Sequence, residues 1–146
     1  MENIVDLLNK MEFLSASLED STDGADVLKV MYDGEHYYIH INKINERMFF
    51  FKFINPVSMS FPSENVLSDI NIFNVKKPII KCAISTVDSI YKDKTDFIFS
   101  YDSLLLKEEV ENFEFLSEKF KVILDLLSVS PMVFLKTKVE LSNQNG

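Results

Sequence analysis

The stretch VLKVMYDGEHYYIHI, residues 27–41, carries the signature of a β-hairpin, and the rest of the predicted fold is built around it. Its two halves, 27–32 and 36–41, are rich in β-branched and aromatic residues, and Asp33-Gly34 lies between them. Asp-Gly is a favoured pair for a two-residue hairpin turn, in which both central residues adopt positive φ. The sequence therefore predicts two antiparallel strands that pair across this turn.

Further apolar runs extend the hairpin into a larger sheet. After a polar break, the run MFFFKFI at 48–54 predicts a third strand, which ends before Asn55-Pro56 and completes a three-stranded antiparallel meander. Residues 79–87 and 96–101 predict a second hairpin around the polar turn 88–95. The sequence thus predicts five antiparallel strands.

Apolar residues at three- and four-residue spacing predict helices on both sides of the meander. The first helix is predicted from Ile4 to Leu18, and a polar loop follows at 19–26. A short helix is predicted over 62–74, with Asn74 as its left-handed cap.

A long C-terminal helix is predicted from about Lys107 to just before Pro131, because proline has no backbone N–H and cannot continue a helix. Residues 132–141 are expected to form either a further strand or an ordered tail, and 142–146 a flexible tail.

The predicted fold class is α+β. Its element order is a helix, a three-stranded antiparallel meander, a short helix, a β-hairpin and a long C-terminal helix, so that helices cover one face of the sheet. The chain has 146 residues, which is the size of one domain, expected here over residues 1–141.

The composition argues against several classes of function. The chain has 23 acidic and 15 basic residues and a net charge of −8, which repels phosphate backbones and anionic membranes, so neither nucleic acid nor a membrane is an expected partner. The chain has three glycines, whose positions do not fit the glycine-rich nucleotide-binding motifs. A single cysteine and a charged N-terminal segment favour a cytoplasmic location.

The candidates for catalysis or metal binding are weak. On a strand, His36 and His40 stand about 13 Å apart and cannot share a metal ion. Cys82 lies in an apolar run, where a thiol acts as a small hydrophobic side chain with a raised pKa. The aspartates at 20–26 depart from a calcium-loop spacing. We therefore expect no enzyme activity, no metal and no cofactor, and a hydrolase that uses Cys82 or a histidine is the third hypothesis.

The thirteen phenylalanines suggest a role beyond the core. Successive strand side chains point to opposite faces, so the run at 49–51 exposes a ring unless both sheet faces are covered. Apolar side chains left at an acidic surface are typical of a protein-docking site. The predicted site for partner binding or self-association consists of Phe49, Phe50, Phe51, Phe53, Val66, Leu67, Ile70 and Phe73.

The segments VLSDINIFN at 66–74 and FIFSYDSL at 97–104 resemble the second half of the type III secretion chaperone-like fold, which includes YbjN-like regulators and class I secretion chaperones. As a pattern, the resemblance covers residues 4–128. It implies a protein that is not an enzyme. Class I chaperones dimerise and bind an extended segment of a partner along their apolar patches.

The leading hypothesis is a non-enzymatic, acidic protein-binding module that docks on or sequesters a partner protein. Its negative field favours a basic partner, such as an effector or a toxin, and a homodimer is a further possibility. The alternative from a different class is an immunity protein that neutralises a cognate bacterial toxin, because small size, acidity and the lack of catalytic motifs suit that role equally well.

Overall fold

The structure, a computed structural model, describes residues 4–59, 66–77, 79–85 and 95–145. Its strands form one six-stranded antiparallel sheet in the order β1-β2-β3-β4-β6-β5. The predicted α+β class with a long C-terminal helix is confirmed. The elements are α1 (Ile4–Asn9), β1 (Leu14–Thr22), β2 (Ala25–Tyr32), β3 (Glu35–Lys43), β4 (Met48–Met59), α2 (Val66–Lys76), β5 (Lys81–Ile84), β6 (Thr95–Leu106), α3 (Lys107–Glu111) and α4 (Phe113–Asn145).

The chain divides into two compact units. Unit 1 comprises Met1–Ile54 and Asp102–Asp125, and unit 2 comprises Asn55–Tyr101 and Leu126–Gly146. Strands β4 and β6 and helix α4 contribute residues to both units. The expectation of one domain over residues 1–141 stays a prediction.

The predicted hairpin at 27–41 is confirmed in unit 1. Tyr32 pairs with Glu35, and the two turn residues between them, Asp33 and Gly34, have φ of 51° and 80°. Their positive φ values are those that a two-residue hairpin turn requires. The hairpin thus forms for the reason that the sequence indicates.

The meander has one strand more than predicted, because residues 14–22 form β1 instead of the end of a helix and a loop. Helix α1 stops at Asn9, whose side-chain amide makes two hydrogen bonds to the backbone of Ala16. Strand β1 pairs with β2, with a bulge between Leu18 and Asp20. The apolar spacing of 14 and 18 fits a strand as well as a helix, and the pairing with β2 decides between them.

Two proline-based predictions in unit 2 are wrong. Strand β4 continues through Asn55 and Pro56 to Met59, and α4 continues through Pro131 to Asn145. The continuation of α4 through Pro131 is explained by a hydrogen bond from a residue distant in sequence. Pro131 cannot donate to the carbonyl of Leu127, and Asn55 Nδ2 donates to that oxygen instead, at 2.9 Å.

The second predicted hairpin is present as β5 paired with β6, in which Ile84 lies opposite Phe97. The predicted turn at 88–95 lies almost wholly outside the described residues. Asn74 is not a left-handed cap, because it lies within α2. The long helix starts at Lys107 as predicted but is divided at Asn112, which separates α3 from α4.

Each unit has its own aromatic core. In unit 1, Phe120 of α4 packs edge-on against Phe51 and Phe53 of β4, with ring centroids 5.9 and 4.9 Å apart. In unit 2, four rings cluster with neighbouring centroids 5.3 to 6.3 Å apart. These rings are Phe73, Phe97, Phe99 and Phe134. Helices therefore cover one face of the sheet within each unit.

Candidate docking surfaces

Most residues of the predicted interface lie in the core. Only two of the eight have side chains that reach the surface: Leu67 is 60% exposed, and Phe50 is half-buried. A docking role for the eight residues stays a prediction. Among the eight, these are the two whose side chains a partner could contact directly. The buried members are Phe49, Phe51, Phe53, Val66, Ile70 and Phe73.

Phe50 belongs to a surface of unit 1 that we term the outer sheet face. The strand register places its members in rows across β2, β3 and β4, with His40 between Val27 and Lys52. Directly opposed strand residues point to the same side of a sheet, so each row shares one face. The outer sheet face consists of Ala25, Val27, Lys29, Met31, His36, Tyr38, His40, Asn42, Phe50, Lys52 and Ile54.

Burial alternates along the strands that form this face. In β4, Phe49, Phe51 and Phe53 are buried, while Phe50 and Ile54 are half-buried. On β3, Tyr37, Ile39 and Ile41 are buried in the same way, and the residues between them face outward. The outer sheet face therefore presents rings and aliphatic side chains that the described helices of unit 1 leave accessible.

The charge of the outer sheet face differs from that of the whole chain. Its charged members are Lys29 and Lys52, and it contains no carboxylate, although the chain has 23 acidic residues. Asp20 on β1, which pairs with Val27, borders this face. A mainly apolar and aromatic surface with lysines and a carboxylate at its border is suited to contact with another polypeptide.

A second accessible apolar surface lies in unit 2, and we term it the α2–α4 groove. It has a volume of about 370 Å³, and its walls come from the end of α2, the segment after it and the middle of α4. Ser130 Oγ donates to the carbonyl of Leu126 at 2.6 Å, so this hydroxyl is already hydrogen-bonded. The lining residues are Phe73, Lys76, Lys77, Ile79, Ile80, Leu126, Val129, Ser130 and Val133.

Sequence reasoning missed most of both surfaces. The sequence did not indicate the α4 wall of the groove, because the helix was predicted to end before Pro131. A usable signal was present, since residues 126–135 contain no charged side chain. For the outer sheet face, the signal was the alternation of the apolar Ile39 and Ile41 with the polar His40 and Asn42 in β3.

The groups considered for catalysis lie on two strands, Cys82 on β5 and the two histidines on β3, where the histidines belong to the outer sheet face. Cys82 is 3% exposed, and burial raises the pKa of its thiol to about 12, as predicted in direction. His36 and His40 lie on strand β3, opposite Met31 and Val27. Within the described ranges, no group of three or more His, Cys, Asp or Glu side chains is arranged to hold a metal ion.

A polar contact of unit 1 also went unnoticed in the sequence. The Tyr32 hydroxyl donates to Asp125 Oδ1 on α4, and this hydrogen bond, with burial and the negative charge of Asp125, raises the pKa of Tyr32 to about 12. Phe13 and Tyr37 lie beside the Tyr32 ring, with centroids 5.9 and 6.3 Å away. The contact therefore joins a helix to the sheet and has no exposed reactive group.

No helix in the described part of the chain is both long and apolar enough to cross a membrane. In comparisons with protein-family models, curated proteins and solved structures, no match was found for this chain.

Proposed function

We propose that this protein is a non-enzymatic binding module that docks on a partner polypeptide through the outer sheet face. The observation that carries the proposal is the row structure of this face, in which Tyr38 stands opposite Ile54 and beside Lys29. Tyrosine, phenylalanine and methionine are enriched in protein interfaces, and carboxylates are depleted. The outer sheet face has this composition within a chain that is acidic overall.

Docking on the face is favoured over addition of a strand to the sheet edge. Strand β1 is an edge strand, and the backbone N–H and C=O of Ala16 are occupied by the side chain of Asn9. At the other edge, Asn74 binds the backbone of Cys82 in the same way. Because an added strand needs free backbone groups at the edge, each of these contacts obstructs it.

The non-enzymatic part of the proposal rests on chemistry. A thiol with a pKa near 12 carries almost no thiolate at neutral pH, so Cys82 is a poor nucleophile. His36 and His40 stand about 13 Å apart along one strand, too far to act on one substrate atom. The resemblance to secretion chaperones points the same way.

The test compares two charge-introducing substitutions at exposed or half-buried phenylalanines of unit 1. Phe50→Glu alters the outer sheet face, and Phe115→Glu on α4 is the matched control. Proteins captured from native lysate by the tagged chain are identified by mass spectrometry, and the affinity of the purified partner is then measured by calorimetry. Circular dichroism and a thermal melt confirm that both variants are folded.

We expect Phe50→Glu to lower the affinity for the partner by about tenfold or more. Phe115→Glu should leave this affinity within about twofold of the wild-type value. Equal affinities for wild type and Phe50→Glu would overturn the proposed docking face. The identity of the captured protein distinguishes a chaperone client from a toxin, which is the immunity alternative.

A further inference from the structure

We infer that the α2–α4 groove is a second docking site, which takes an amphipathic peptide segment with a carboxylate beside its apolar residues. The groove lies wholly in unit 2 and shares no residue with the outer sheet face. The inferred site in the groove can therefore be tested independently of the proposed docking on that face.

One wall of the groove is both exposed and apolar. Ile79 is 62% and Val129 49% exposed, and Met132, one helical turn after Val129, is 73% exposed. Residues 126–135 of α4 carry no charge, whereas a surface helix normally has a polar face toward water. A contiguous exposed apolar strip of this kind is typical of a binding surface.

The groove also carries positive charge. Lys76 and Lys77 line the groove, and the described lining residues include no carboxylate. The negative end of the α2 dipole favours lysines at this position, but it neutralises them only in part. Since charges farther away than about 8–10 Å are screened at physiological salt, these two lysines determine the local field more than the net charge of −8 does.

An occupant that buries the apolar wall must therefore bring a carboxylate to Lys76 and Lys77. A second copy of this chain is poorly suited to do so through α4. From Leu126 to Thr137, the only charged side chain of α4 is Lys136, so a copied helix laid in the groove would add a lysine to two others. The charge pattern favours a different polypeptide with an acidic residue next to its apolar ones.

A fatty acid also combines an apolar chain with a carboxylate. Pockets for small ligands enclose most of the ligand surface. Here the wall residues Ile79 and Val129 are themselves 62% and 49% exposed, and the apolar strip continues to Met132. An open strip of this shape fits a peptide that contacts it along one face.

The test is selection of random twelve-residue peptides, displayed on phage, against the purified full chain and a Lys76→Glu/Lys77→Glu variant. Lys119→Glu/Lys121→Glu, which changes the net charge equally on the part of α4 in unit 1, is the control. Selected peptides are synthesised with a fluorescent label and titrated by anisotropy, also against Val129→Gln. Thermal melts verify that all variants are folded.

We expect wild type and control to select peptides with Asp or Glu beside apolar residues. Their affinity should fall about tenfold or more with Lys76→Glu/Lys77→Glu and with Val129→Gln, and should change less than about twofold in the control. The inference would be overturned if no peptides are selected or if the selected peptides are not enriched in Asp or Glu. It would also be overturned if the selected peptides bind both groove variants with the same affinity as wild type. Oleate binding that depends on Val129 in the absence of peptide binding, or a dimer that Val129→Gln abolishes, would overturn it as well.

Discussion

Asn55 donates a hydrogen bond from Nδ2 to the carbonyl oxygen of Leu127, at 2.9 Å, and so replaces the backbone N–H that Pro131 lacks. Asn55 is buried on β4, and Leu127 lies four residues before Pro131 in α4. A proline inside a helix leaves this carbonyl without its usual donor, which is costly when the carbonyl is buried. The strand residue thus allows the helix to continue.

This relationship predicts a coupling between Asn55 and Pro131. Asn55→Ala should lower the free energy of unfolding by about 1–3 kcal/mol, because it leaves the carbonyl of Leu127 unsatisfied. In a Pro131→Ala background the cost should be smaller, since the new N–H of residue 131 can donate to the same carbonyl. Urea unfolding of the four proteins measures the coupling, and equal costs in both backgrounds would contradict it.

Two asparagine side chains are predicted to protect edge strands. Asn9 binds the backbone of Ala16 at 2.8 and 2.9 Å, and Asn74 binds that of Cys82 at 2.7 and 2.9 Å. Replacement of either asparagine by Ala should cost about 1–3 kcal/mol for two lost hydrogen bonds and should raise the tendency to aggregate. Urea unfolding and light scattering check this, with exposed Asn42→Ala as control.

If Asn9→Ala or Asn74→Ala leaves both stability and light scattering at the level of Asn42→Ala, these side chains do not protect the edges. Addition of a partner strand to the sheet edge would then be as plausible as docking on the outer sheet face.

The contact between Tyr32 and Asp125 predicts a loss of stability at high pH. The pKa of Tyr32 is raised from 10.0 to about 12 in the folded chain. Below pH 10 the tyrosine is protonated in both states, so the contribution is complete. Between about pH 10 and 12 the unfolded chain ionises first, and stability falls.

This pH dependence is measured by urea unfolding from pH 8 to 12 in a Cys82→Ala background, because the thiol also has a raised pKa. Tyr32→Phe should be less stable at pH 8 and should lose less stability between pH 10 and 12. The same decline with and without the tyrosine hydroxyl would contradict the assignment.

Cys82 is predicted to be unreactive in the native chain. Because it is buried and its pKa is raised to about 12, a disulfide reagent at pH 8 should modify it only when the chain opens. The native rate should be at least about a hundredfold below the rate in urea. A native rate close to the unfolded one would show an accessible thiolate and revive a nucleophilic role for Cys82.

The turn at Asp33-Gly34 could be predicted from the sequence, whereas a hydrogen bond between residues that are distant in sequence could not. Asp33 and Gly34 define a turn through their own φ angles. The stop expected at Pro131 fails because of Asn55, a residue distant in sequence whose contribution no local pattern reveals.

The candidate site shows the same limit. The run at 48–54 does not alternate, so it cannot indicate which rings face the core. Pairing with β3 decides this, because Phe51 lies opposite Ile41 and Phe53 opposite Ile39. Phe50 is thereby left on the outer sheet face. The interface predicted from the sequence includes this strand, and the pairing determines which of its residues reach the surface.

Photo-cross-linking from position 50 can detect whether another polypeptide contacts the outer sheet face. Benzoylphenylalanine at Phe50 or, as control, at Phe115 retains an aromatic side chain at each site, and cells that express the chain are irradiated. Docking on the outer sheet face predicts a discrete adduct with another polypeptide from position 50 and none from 115. No adduct from 50, the same adduct from both positions, or an adduct of two copies of this chain would contradict it.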